Sequence, residues 1–107
     1  MTKDDLLHKL ARFCSFEAGW HFGEGVPTDP EVRIRSLKII DIACANGWDT
    51  EIFPGVSGEI LLDLERGGVN YEFILETDGS VSLHREDEGV DIEWLERVDD
   101  SVAIERL

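Results

Sequence analysis

The chain has 107 residues, 24 of them Asp or Glu against 10 Lys or Arg, for a formal net charge of −14 at pH 7. That length supports one buried core and falls short of two, while the charge opposes direct contact with DNA, RNA or an anionic membrane, which are held by Lys and Arg. No apolar run reaches the ~18 residues of a membrane span and Met1-Thr2-Lys3-Asp4-Asp5 lacks the basic-then-apolar order of an export signal, so a single cytoplasmic domain over 1–107 is expected.

Thr2 followed by Asp5 forms a capping-box pattern, and Leu6, Leu7, Leu10, Ala11 and Cys14 recur at helical spacing, which predicts a helix over 3–14. Phe13 to Val26 mixes Phe13, Phe16, Trp20 and Phe22 with Gly19, Gly23 and Gly25, the composition of an irregular loop whose aromatics tuck under the domain. Thr28-Asp29-Pro30-Glu31 offers a second capping box ahead of Val32, Ile34, Leu37, Ile39, Ile40, Ala43 and Cys44, predicting a helix over about 30–46. Asn46-Gly47 supplies its left-handed stop. Cys14 and Cys44 read as small buried hydrophobes; a bridge between them depends on a Cα separation that spacing does not supply.

Beyond Gly47 the period changes from helical to two. Thr50, Ile52 and Phe53 form a short strand candidate at 49–53, ended by Pro54-Gly55. Alternation predicts strands at about 58–65, 69–76 and 80–86, separated by Arg66-Gly67-Gly68 and by Asp78-Gly79, a strong hairpin signal. Ile92, Leu95 and Val98 recur at spacings of three and predict a short third helix over 91–98, with Val102-Ala103-Ile104 a terminal strand or docked tail. The fold class expected is α+β: two N-terminal helices packed on one face of a three- to four-stranded antiparallel meander, with a short C-terminal helix.

Trp20-His21-Phe22-Gly23-Glu24-Gly25 with Pro27 before a helix, then Phe53-Pro54, Gly58-Glu59-Ile60-Leu61-Leu62 and a strand ending in Asp78-Gly79 carry a resemblance. Over roughly residues 13–86 this order resembles small bacterial proteins that combine a Trp-x-Gly-x-Gly loop, a helix and a Pro…Gly-Gly-Ile meander. The chain has His21-Phe22 where those proteins commonly have Asp-Gly, and Ser57-Gly58 where they have Gly-Gly. Such proteins look like accessory products of mobile elements and bacterial conflict systems, so the resemblance implies an antitoxin, immunity or anti-defence role.

Catalytic signatures are sparse. His8, His21 and His84 fall on a helix, a loop and a strand, without His-x-x-x-His or Cys-x-x-Cys spacing, so no metal or cofactor is expected. Gly23-x-Gly25 lacks the preceding strand and the third glycine of a nucleotide fingerprint. Glu86-Asp87-Glu88-Gly89 lacks the alternating ligands of a calcium loop. His84 reads as a solvated sheet residue. The loop Trp20, His21, Phe22 is the one candidate for an enzyme or small-ligand reading, with His21 as acid/base.

Charge is the stronger signal. Residues 1–54 hold 9 acids and 6 bases, residues 55–107 hold 15 acids and 4 bases, and the span 59–88 has no lysine. Alternation places Glu59, Asp63, Glu65, Glu72, Glu76 and Glu86 on the polar face of the meander, interrupted by Leu61 and Ile74; Asp87 and Glu88 extend the acidic surface. Carboxylates on such a grid sit at spacings comparable to neighbouring phosphates. The expected function is a non-enzymatic one, neutralising or inhibiting a basic protein partner. A homo-oligomeric accessory or scaffold protein whose charge only solubilises is the alternative.

Overall fold

The computed structural model describes residues 2–107. Helix α1 (Lys3–Cys14) starts at the expected capping box, with the Thr2 hydroxyl accepting from the Asp5 amide at 3.2 Å and the Asp5 carboxylate from the Thr2 amide at 3.3 Å. Two amides that the first turn would leave unpaired are satisfied reciprocally. Helix α2 (Pro30–Ala45) is capped one residue later than the sequence pattern suggests: Asp29, not Thr28, accepts from the Glu31 amide, at 2.9 Å. Pro30 in the first turn has no amide to satisfy and fixes the cap at the residue before it. Thr28 is buried, its hydroxyl unpaired among the described residues. At the far end the Trp48 amide donates back to the Ala43 carbonyl at 3.0 Å across Gly47, whose φ of 79° is the left-handed stop expected there.

Between the helices the glycine-rich loop closes on itself as a small hairpin, through Gly19 N–H to Gly25 O at 2.8 Å and His21 N–H to Glu24 O at 2.7 Å. Trp20 donates its indole N–H to the Val26 carbonyl at 2.7 Å. Gly25 is required: at φ 95° a Cβ would come within 2.7 Å of the Trp20 indole nitrogen. The aromatics do not all tuck inward. Phe13 is buried, Phe16 and Trp20 are half-buried, and Phe22 stands 96% exposed at the tip, because the hairpin carries the chain away from the core.

Among the described residues the sheet has five strands rather than three or four: β1 (Asp49–Pro54), β2 (Ile60–Arg66), β3 (Val69–Leu75), β4 (Val81–Asp87) and β5 (Val90–Val98), antiparallel in that order. The segment expected as a third helix is β5, and the C-terminal helix, α3 (Asp100–Glu105), comes after it. The reason lies in two bulges. Val81 pairs with Val98 but Leu83 with Leu95, so three β5 residues oppose two on β4; a second extra residue falls between the Arg85–Glu93 and Glu86–Asp91 pairs. Leu95 and Val98 thus reach the same side three residues apart, imitating a helical period.

The inward residues Thr50, Ile52, Ile60, Leu62, Leu64, Tyr71, Phe73, Leu75, Val81 and Leu83 are buried. Their apolar members form one cluster with Leu6 and Leu10 of α1, Val32, Ile39 and Ile40 of α2 and Ala103 of α3. Arg35 fastens three elements: it donates to both Asp100 carboxylate oxygens at 2.8 and 2.7 Å and to the Glu76 and Ser80 carbonyls, each at 2.7 Å. Cys14 and Cys44 are free thiols, both half-buried. Among the described residues, no helix is long and apolar enough to cross a membrane.

Candidate functional site

Strand register converts alternation into rows of side chains running across the outward face. The first row is Phe53, Leu61, Ile74 and Ser82; the second is Glu51, Asp63, Glu72, His84 and Trp94; the third is Asp49, Glu65, Asn70, Glu86 and Asp91. Neighbours within a row are ~4.8 Å apart and rows are separated by ~6.8 Å, the two-residue repeat of a strand. An apolar row therefore borders one row rich in carboxylates, with a second such row beyond it. Phe53 is 47% and Trp94 61% exposed, and Leu61 and Ile74 are half-buried by their neighbours.

Of the residues expected to bind a partner, Asp63, Glu65, Glu72 and Glu86 lie on this face. Glu76 lies just past the end of β3, half-buried, its carbonyl taken by Arg35. The other three are elsewhere. Glu59 belongs to the β1–β2 turn, where its carboxylate accepts from the Ser57 amide at 3.3 Å and folds over Gly55. Asp87 is one residue out of phase with Glu86, so it points to the opposite side and clasps Arg85 at 2.7 and 2.8 Å. Glu88 sits in the β4–β5 turn at φ 52°, its amide donating to the Gly68 carbonyl at 3.1 Å.

The structure adds Glu51, Phe53, Asp91 and Trp94, which the sequence reading left out. Recognising Glu88-Gly89 as a hairpin turn, like Asp78-Gly79, would have put Asp91 and Trp94 back onto the sheet. His84 is not simply solvated: its side chain is 22% exposed, its Nε2 lies 2.8 Å from Asp91 Oδ1, and its ring is 5.0 Å from that of Trp94. One ligand atom each of His84, Glu86 and Asp91 lies within 4.8 Å of the others. Scanning for metal spacing misses this set because its members come from two strands. An imidazole with two carboxylates suits a divalent cation or a cationic side chain equally.

Electrostatics on the face are graded. At the β1 edge an acidic recess of about 180 Å³ is lined by Asp49, Thr50, Glu51, Asp63, Glu65 and Asn70. Asn70 donates to Asp63 at 2.8 Å, and Lys9 to Glu51 at 2.7 Å. Burial pushes the Glu51 carboxyl upward, but the hydrogen bonds from Lys9 and the Ile52 amide outweigh it and leave the group below the ordinary carboxylate range. Trp20, His21 and Phe22 lie in the hairpin loop with successive rings 5.5 and 5.0 Å apart. His21 is exposed, and its backbone closes the hairpin with Glu24. No protein-family model, curated protein or solved structure matches this chain.

Proposed function

We propose that the outward face of the sheet is a docking surface for a basic protein, and that the chain acts in the cytoplasm as a non-catalytic inhibitor of such a partner, in the manner of an antitoxin, immunity or anti-defence protein. The observation that carries this reading is the register: Phe53, Leu61 and Ile74 in one row, Asp63 and Glu72 in the row beside it, and Glu65 and Glu86 in the row beyond. The reading takes α1 and α2 as the cover of the inward face, supported by the cluster that their apolar residues share with the strands. The acid rows steer a cationic partner into contact, and the apolar row and Trp94 bury surface once it is seated. A partner whose own site binds nucleic-acid phosphates would find carboxylates at similar intervals.

Self-association through the same face opposes acid to acid in a chain of net charge −14, and so is disfavoured. The test pairs two kinds of variant against a panel of small basic nucleases and toxins. Asp63→Asn with Glu72→Gln is expected to leave the fold intact or firmer, to weaken binding and to flatten its salt dependence. Leu61→Ser is expected to weaken binding with the salt dependence kept. Equal binding by all three proteins would overturn the reading, and unfolding of the charge-neutralised variant would make those carboxylates structural instead.

A further inference from the structure

The bases of the acidic half are few and they are gathered. Residues 55–107 contain Arg66, Arg85, Arg97 and Arg106 as their only Lys or Arg. Three of these line one depression of about 170 Å³, together with Trp48, Val69 and Tyr71. Tyr71 and Arg85 are register partners on the inward-facing side of β3 and β4, so this depression is separate from the carboxylate rows. Trp48 and Tyr71, 5% and 3% exposed, pack edge to face at 5.5 Å. The Arg66 guanidinium lies 4.2 Å from the Trp48 ring centroid and that of Arg85 lies 5.7 Å from the Tyr71 centroid.

Two carboxylates orient the forks without filling them. Asp87 takes Nε and Nη2 of Arg85, at 2.7 and 2.8 Å; Glu93 takes Nε and Nη2 of Arg106, each at 3.0 Å. That leaves Nη1 of both with contacts of only 3.5 Å, to the Tyr71 hydroxyl and the Val102 carbonyl, at the outer limit for a hydrogen bond. Arg66 gives Nη1 to the Asn46 carbonyl at 2.8 Å and forms no ion pair among the described residues. Glu105 is the further acid that acts on Arg106 through space. Guanidinium forks with spare N–H groups around one depression, two of them over aromatic rings, match the several oxygens of a compact oxyanion.

We propose that this depression binds a small phosphate-class oxyanion, free or as a monoester, between Arg66 and the Nη1 groups of Arg85 and Arg106. The site does not depend on the docking face, and either can stand if the other falls. Inorganic phosphate and phenyl phosphate are titrated separately into isotope-labelled protein, with ionic strength held constant by chloride and melting temperature checked for every variant. Saturable shifts at the Trp48 indole and the Arg66 and Arg106 side chains are expected. Arg66→Gln, at an exposed position, should weaken binding by about tenfold, the loss of one charge-assisted hydrogen bond. Arg97→Gln, whose guanidinium pairs with Asp78 outside the depression, should leave binding unchanged. Tighter binding of phenyl phosphate would identify a monoester as the ligand, and equal binding a free oxyanion. No saturable shift with either probe would overturn the proposal, as would equal weakening by Arg66→Gln and Arg97→Gln, which would leave only general charge screening.

Discussion

Phe73 is fully buried, with Leu62 and Leu83 as its register partners on the two flanking strands. Replacing it with Ala removes its ring from the centre of the sheet, and a cost of about 3–5 kcal/mol is expected, a large share of the ~5–15 kcal/mol of a typical domain. Urea unfolding measures it, and a loss under ~1 kcal/mol would contradict the register. Glu93 shows what a single charge does. Its hydrogen bonds to Arg106 hold the carboxyl below the ordinary range, so the pair stabilises the fold above the unfolded-state value of about 4.3. That contribution fades as pH falls through the depressed folded value, when Glu93 finally takes a proton. Glu93→Gln should therefore be less stable than the parent at neutral pH, and the two should converge in acid. A gap in melting temperature that stayed constant down to strong acid would show that the lost interaction is steric.

At the scale of elements, β5 is the most informative. Its bulge puts Arg97 at φ 51°, where a side chain is strained, while the Arg97 amide is taken by the Ser82 hydroxyl at 3.2 Å. The side chain offers little in return: its 2.6 Å pair with Asp78 joins groups that are 68% and 45% exposed, and such pairs contribute little. Arg97→Gly is expected to leave the melting temperature unchanged or raise it slightly, whereas Arg97→Val should lower stability by more than ~1 kcal/mol. If Gly were the worse of the two, the bulge would not be the source of the strain. The same bulge hid this strand from periodicity, since Leu95 and Val98 share a side at a spacing that a regular strand never shows. Helices α1 and α2 had no such obstacle. Their apolar spacing and terminal Gly47 are local signals, and only the cap of α2 moved, by one residue, under the influence of Pro30.

For the whole molecule, the −14 charge is concentrated where strands align like with like: Glu51, Asp63 and Glu72 are consecutive partners across three strands. Such pairs repel, and salt screens them over a distance of ~10 Å at 0.1 M. Melting temperature should rise as sodium chloride is added, and less so in Asp63→Asn with Glu72→Gln; a fall with salt would mean that the ion pairs, Arg35–Asp100 among them, outweigh the repulsion. The sequence by itself determined helices α1 and α2, the alternation of β1 to β4 and that the outward face is acidic, because each depends on the phase of neighbours a few positions apart; it misassigned both β5 and α3. It also placed Asp63, Glu65, Glu72 and Glu86 together. Only the tertiary structure decided that Phe53 joins Leu61 and Ile74 in one row, that Asp87 turns away to Arg85, that Asp91 returns to His84, and that Arg66, Arg85 and Arg106 meet over Trp48 and Tyr71. Those meetings are set by register, bulges and chain reversals, whose hydrogen bonds join residues far apart in sequence and leave no mark on local periodicity.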